Sequence, residues 1–449
     1  MTEAVFAAEA LLPGGWARDV RIVVDGTRIA SVTVGAQPKA GDTRAEVLIP
    51  GMPNLHSHTF QRAMAGLTER RGPSADSFWT WRDLMYRFAL SLTPEEVQSI
   101  AEMACVEMLE TGFTRLGEFH YLHHAADGRP HANPAEMSLR IIAAAEATGI
   151  HLTLLPVFYA HSNFGGAAPS EGQRRFINDI AGYSELFAGA KAGISRPLDR
   201  IGIAPHSLRA ATDAEITRLL EVHPDGPVHI HIAEQMREVE DCVSWSGQRP
   251  VERLLLQFDV NGRWCLIHAT HLTEAERRGI VASGAVAGLC PVTEANLGDG
   301  LFPAREFLAE GGRFGIGSDS NVEISVAEEL KILEYGQRLL HRLRNVLTAG
   351  EGSTGGTLLR GALGGGAQAL GAPDAALSAG APADMVALTD RSGLAPAGDR
   401  VLDRWVFGAD VVVADVWAGG THVVTGGRHR ERERIAKGFA RTMKRLADE

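Results

Sequence analysis

The stretch EVLIPGMPNLHSH, residues 46–58, sets an apolar run directly before two histidines one residue apart. In an extended strand the side chains alternate between faces, so His56 and His58 share one face and Ser57 turns to the other. Two imidazoles a few ångströms apart at a strand end can grip one metal ion, although an isolated His-x-His is more commonly a pair of surface histidines. Further ligands decide, and their source depends on how the rest of the chain repeats this unit.

Seven more apolar runs follow: FTRLGEFHY (113–121), IHLTLLPVFY (150–159), RIGIAPHS (200–207), PVHIHIAEQ (227–235), RWCLIHATH (263–271), AVAGLCPV (285–292) and RFGIGSDS (313–320). They read as strands, with helical segments between them. Thr93, Thr212 and Thr273 stand where an N-cap hydroxyl is needed, and Glu96, Glu215 and Glu276 follow three residues on to close a capping box. Eight strand–helix units in about three hundred residues predict an α/β fold, a (β/α)8 TIM-like barrel whose active site gathers at the C-terminal ends of its strands. His58, Glu118, His206, Glu234, His268 and Asp319 fall at or just after such ends.

Short strands with glycine turns flank this core: DVRIVVDGTRIASVTV (19–34), ADMVALTD (383–390) and DVVVADVWAGGTHVVTGGRHR (410–430). They predict a small β-sandwich domain built from both termini, residues 1–48 and 371–449, around a metal-dependent barrel at 49–370. The Gly/Ala-rich segments 349–356 and 363–383 read as loose connections or a small helical linker. RERERIAKGFARTMKRLADE (430–449) reads as a helix with a solvated face.

Of 449 residues, 45% are hydrophobic and 22% charged, and the net charge is −11. With no Lys/Arg-rich run before the extreme C-terminus, neither nucleic acid nor an anionic membrane is expected as a partner. Cys105, Cys242, Cys265 and Cys290 form no Cys-x-x-Cys and read as core thiols of a reducing compartment. The opening MTEAVFAAEALLPGGWARDV has neither a basic leader nor a membrane-spanning run, so the expected location is the cytoplasm.

A catalytic zinc takes about three or four protein ligands and keeps one position for water. VHIHIAEQ (228–235) offers His229 and His231 on one face, and His231, nearer the strand end, is the choice. GIGSDSN (315–321) delivers Asp319, whose carboxylate binds the ion or takes a proton from water. A second ion would need a bridging anionic ligand such as a modified lysine. Lys191, the single lysine between Lys39 and Lys331, sits in loop-like GAKAGIS (189–195), so one Zn2+ per subunit is expected, with Glu118 as the open alternative. Iron or manganese would also suit such a site. A nitrogen leaving group must be protonated as it departs. Glu234, His268 and Asp319 form the catalytic trio for that task. His271 competes with His268 but reads as a surface or loop histidine, and His206 either contacts substrate or is structural.

Together, LHSH, HIAE, IHATH and GSDS resemble the amidohydrolase superfamily over nearly the whole chain. Its mononuclear deaminases imply His56, His58, His231 and Asp319 on zinc, proton transfer by Glu234, His268 and Asp319, and a homodimer. GMPNLHSHTFQRAMAGLTER (51–70), followed by SFWTWRDLMYRF (77–88), resembles the formimidoylglutamate deiminase family more narrowly. That resemblance implies hydrolysis of N-formimino-L-glutamate to N-formyl-L-glutamate and ammonia in histidine degradation. It also implies substrate contacts from Gln61, Arg82, Tyr121, His206 and Arg209. A small dicarboxylate suits a guanidinium fork, although Arg82 in FWTWRD could instead pair with Asp83. The alternatives are a deaminase of another amidine or heterocycle, of the guanine or adenosine type, and a non-catalytic barrel scaffold. The complete set of ligand types argues against the scaffold.

Overall fold

The computed structural model describes residues 3–69, 77–348 and 350–447. Four strands open the chain: β1 (Glu3–Leu12), β2 (Gly15–Asp25), β3 (Arg28–Thr33) and β4 (Thr43–Pro50). Gly51 then separates β4 from β5 (Met52–Ser57), so the run expected as one strand is two. The Gly51 N–H donates to Asp384 O while the next N–H, of Met52, donates to Gly112 O. The chain thus changes sheets between consecutive residues. Only glycine fits there, because an added Cβ would lie 2.3 Å from Thr114 Oγ1.

Nine parallel strands come next in the chain, beginning with β5. They continue with β6 (Phe113–His120), β7 (His151–Phe158), β8 (Arg200–Ile201), β9 (Ala204–Pro205), β10 (Val228–Ile232), β11 (Trp264–His268), β12 (Val286–Leu289) and β13 (Arg313–Ile316). One sheet runs β5-β6-β7-β8, with β9 also on β7, and another runs β10-β11-β12-β13. The expected fourth strand is split into β8 and β9, and Pro205, which lacks an N–H, ends it. Backbone bonds stitch the two sheets together on both sides. His58 N–H donates to Asp319 O and Asp319 N–H to His56 O, while Ile203 N–H donates to Pro227 O and His231 N–H to His206 O. β6 and β7 are buried at every residue, as strands covered on both faces must be. Leu55, Cys265, Ile267 and Val286 pack with Leu370 in one interior cluster.

Helices Pro94–Glu110, Asp213–Val222 and Glu274–Ser283 begin in the three expected capping boxes. The two Gly/Ala-rich segments divide: their parts within 354–369 are helical, the second of the two readings, while 370–383 carries neither helix nor strand. Thr354–Ala369 is a helix whose glycines let its backbone lie against β13, and a Cβ on Gly365 would fall 1.8 Å from Phe314 O. Residue 349, which begins one of those segments, lies outside the described residues.

The chain closes with β14 (Met385–Asp390), β15 (Val411–Ala418), β16 (Thr421–Thr425) and β17 (Arg428–His429). These join the first four strands in one hydrogen-bonded sheet of order β17-β16-β15-β14-β4-β1-β2-β3. Val5, Ile22, Leu48, Met385 and Trp417 share its core. The last helix, Arg432–Ala447, is not solvated all round, since Ile435 packs on Met103 and Val106. Residues 448 and 449 are outside the described set. All four cysteines are buried and unpaired. Among the described residues no helix is long and apolar enough to cross a membrane.

Candidate active site

β5 carries both histidines of the opening motif to its C-terminal end, with ring centroids 4.7 Å apart. His58 Nδ1 lies 2.8 Å from the Phe119 carbonyl oxygen, and donation there leaves Nε2 as a bare lone pair facing inward. On β10, His229 donates from Nε2 to Ala369 O at 2.7 Å and is spent on structure. His231 turns inward instead, its Nε2 3.0 Å from His56 Nε2. Asp319 Oδ1 lies 3.5 Å from His56 Nε2 and 3.4 Å from His58 Nε2. Ligand atoms of His56, His58 and His231 all fall within 4.8 Å of one another. Burial lowers His56 to about 4 and His58 to about 3, which keeps the rings neutral. Neutral imidazole nitrogens in contact, with a carboxylate beside them, make a donor set that fits one divalent cation.

Strand ends aim the remaining groups through unusual backbone. Ala233, His268, Ala269, Asp319 and Asn321 all have positive φ, between 45° and 67°. Such conformations cost roughly 1–3 kcal/mol each and persist where surrounding bonds over-determine them. Asn321 supplies several, donating from Nδ2 to Ser57 Oγ, His58 O and Asp319 O. His268 Nε2 sits 3.7 Å from both Glu234 Oε1 and Asp319 Oδ2. Burial opposes a charge on His268, but Glu234, Glu294 and Asp319 outweigh it and push the ring up to about 10. Burial raises Glu234 to about 7 against the pull of His268 and Arg209. Asp319 is also buried, yet the imidazoles of His56, His58 and His268 beside it hold it below the usual carboxylate range.

Glu118 is engaged elsewhere. Its Oε1 accepts from Thr59 N–H at 2.9 Å and Thr59 Oγ1 at 2.7 Å, anchoring the turn Thr59–Met64 that carries Gln61, and burial pushes it up to about 8. Lys191 lies not in a loop but in the last turn of helix Ile180–Gly193, exposed. His271 is a half-buried loop residue bonded to Asp299 O.

A cavity of about 540 Å³, its open mouth included, lies over these groups. His58, His231, Glu234, His268, Asp319, Gln61, Arg82, Tyr121, His206 and Arg209 line it, and His56 lies beneath. The residues expected as metal ligands, catalytic groups and substrate contacts are therefore brought to one place, whereas Glu118, Lys191, His229 and His271 are not part of it. Gln61 Nε2 donates to Tyr121 OH at 2.8 Å. The Arg82 guanidinium lies over the Trp79 and Tyr86 rings, 4.6 and 5.5 Å from their centroids. Among the described residues neither Arg82 nor Arg209 has a carboxylate within ion-pair distance, Asp83 included, and the Nε of each is buried without a partner.

Phe78, Trp81, Met85, Tyr86, Tyr159, Thr293 and Leu297 also line the cavity and were missed from sequence. The first four share one face of helix Phe78–Ser91 with Arg82 at spacings of three and four, a signal that could have marked them. Tyr159 follows the end of β7, where the strand-end rule would have found it.

Three imidazoles and neighbouring carboxylates gathered at the C-terminal ends of parallel strands form a site that could hold a metal ion, as metal-dependent hydrolases do. Residues 47–423 match the amidohydrolase family, and the chain belongs to it. Residues 2–46 match the N-terminal domain of formimidoylglutamate deiminase HutF. The chain is 52% identical to the formimidoylglutamate deiminase of Pseudomonas aeruginosa over an alignment 452 positions long that covers 99% of this chain and 100% of that one. An amidohydrolase from Brucella melitensis, known from its crystal structure, superposes with a TM-score of 0.97 at 55% identity, covering 99% and 100% of the two chains. A zinc-bound adenosine deaminase from Xanthomonas campestris, at 22% identity, shares the fold with a TM-score of 0.80 over 99% and 98%.

Proposed function

We propose that this chain hydrolyses the formimino C=N bond of N-formimino-L-glutamate, giving N-formyl-L-glutamate and ammonia, as a step of histidine degradation. The observation that carries it is the pair of cavity guanidiniums without carboxylate partners, Arg82 and Arg209, facing a cation-binding pole. A substrate whose α-nitrogen bears an amidine-like carbon, with one carboxylate beside it and a second at the end of the side chain, offers an anion to each guanidinium and an electrophile to that pole. The relative that is 52% identical end to end supports the same substrate.

His56, His58, His231 and Asp319 would hold one divalent cation, which we take to be zinc. Bound there, it supplies a Lewis-acid charge that brings the pKa of water toward neutrality. Arg82 and Arg209 grip the carboxylates, and Gln61, Tyr121 and His206 orient the formimino end. Asp319 Oδ2, turned toward His268, accepts a proton from the attacking water. Glu234, which retains a proton near neutral pH, protonates the imino nitrogen as the oxygen adds. The proton on Asp319 then passes to the same nitrogen, ammonia leaves, and the carbinol proton returns to Glu234. His268 lies between the two carboxyl groups and stabilises both in their charged forms.

The two stitched parallel sheets serve as a closed (β/α)8 barrel beside a small β domain made of the single terminal sheet, with the expected units 1–48, 49–370 and 371–449 adjusted only in that β4 carries the first to Pro50. We place the enzyme in the cytoplasm as a homodimer that binds neither nucleic acid nor membrane. The test is ammonia release from N-formimino-L-glutamate beside guanine, cytosine and adenosine. Release from the first alone, lost on chelation and restored by Zn2+, is expected. Faster turnover of any of the ring substrates would overturn the assignment.

A further inference from the structure

The ring of His268 stacks on that of His231, with centroids 5.6 Å apart and planes 12° from parallel. Stacking fixes the plane of an imidazole but not its sense, because a 180° flip about χ2 keeps the plane and exchanges nitrogen for carbon at each edge. In the observed sense Nε2 faces Glu234 and Asp319, 3.7 Å from each. The flipped ring would present Cε1 to them. At 3.7 Å neither Nε2 contact is a hydrogen bond, so the bond that fixes the sense of the ring lies at the Nδ1 edge, and what lies there is Glu294.

Glu294 Oε1 is 3.2 Å from His268 Nδ1 and also accepts the Cys290 backbone N–H at 2.9 Å. One oxygen thus ties the end of β11 to the turn leaving β12. Glu294 is buried, on the short helix Pro291–Leu297. It does not line the cavity, whereas its neighbour Thr293 does. His268 itself is at φ 67°, followed by Ala269 at 47°, so its backbone is held in a conformation that needs external support.

We propose that Glu294 is a positioning residue for the hydrolytic reaction: by accepting Nδ1–H it selects the one ring orientation in which His268 Nε2 meets both proton-carrying carboxyl groups. The inference rests on the role given to His268 above, but the tether can be tested without it. In protein labelled with 15N-histidine, the Nδ1–H of His268, assigned by its absence in His268→Asn, is expected as a slowly exchanging, downfield resonance. Its absence from the wild type would sink the proposal outright.

Glu294→Met fills the volume without an acceptor, and Glu294→Gln restores one. The Met variant should lose the resonance and lower kcat roughly 10–100-fold, the range for partners that orient catalytic histidines, with KM changed less than about threefold. The Gln variant should keep the resonance and recover most of kcat. In a His268→Asn background Glu294→Met should cost less than about twofold more, since it acts through the ring already removed. A Met variant with kcat within twofold of wild type, or an equal loss in both backgrounds, would overturn the proposal. If His268→Asn itself kept full turnover while the resonance behaved as expected, the fault would lie with the role of His268 and not with the tether.

Discussion

Arg82 and Arg209 are the residues on which substrate choice turns. Arg209 is buried and Arg82 half-buried, and each has an Nε with no protein acceptor, left to meet a substrate carboxylate. Hydrogen bonds to a charged group contribute about 1.5–3 kcal/mol, or roughly a tenfold to hundredfold change in binding. Arg82→Met and Arg209→Met should each raise KM for N-formimino-L-glutamate by about that factor while kcat falls less, as steady-state kinetics would show. An unchanged KM in both variants would remove the dicarboxylate from the assignment. Arg82 was readable in sequence only as one of two possibilities, because FWTWRD does not say whether Asp83 is its partner. The rings of Trp79 and Tyr86 beneath the guanidinium answer that, and they belong to the same helix.

At the scale of the element, helix Thr354–Ala369 shows how composition misleads. The six glycines of TGGTLLRGALGGGAQA would ordinarily weaken a helix if counted by propensity, each costing close to 1 kcal/mol against alanine in an exposed interior. Here the missing Cβ atoms let the helix backbone touch β13, which no larger residue permits. Gly365→Ala should therefore destabilise the protein, by about 1–3 kcal/mol through overpacking, despite its better helix propensity. Gly364, whose Cβ would meet nothing within 4 Å, is the control, and Gly364→Ala should be neutral or stabilising in the same denaturation experiment.

Across the whole molecule, the parallel strands and the terminal sheet meet at an ion-pair cluster. His151, first residue of β7, lies 3.2 Å from Asp384 Oδ1 and 3.8 Å from Asp199 Oδ1, at ion-pair distance though without hydrogen-bond alignment. Burial opposes its charge, but Asp384 and Asp199 outweigh burial and raise it above its ordinary 6.5. Burial likewise opposes charge on Asp384 and Asp199, yet His151 and neighbouring arginines lower both below 3.8. A raised histidine stabilises fully below 6.5 and loses that contribution as pH climbs through its folded value. Lowered aspartates stabilise above 3.8 and lose it as pH falls through theirs. The cluster should be strongest between those limits. The gap in melting temperature between wild type and Asp384→Asn should be widest near pH 5–6 and shrink by pH 9, and a constant gap would contradict the coupling.

By itself the sequence determined what short range can encode. Alternation along a strand puts His56 and His58 on one face, and threonine and glutamate three apart start the helices. Each involves a few neighbouring residues, whose geometry follows from backbone sterics alone. Tertiary structure decided everything that depends on which distant groups meet. It spent His229 on Ala369 O and left His231 for the cation site, switched the chain between sheets at Gly51, and put Glu294 behind His268. Ser57 and Asn321, joined in the lock beneath Asp319, are 264 residues apart. No local periodicity carries such pairings, because a buried polar atom takes its partner from whichever element packs over it.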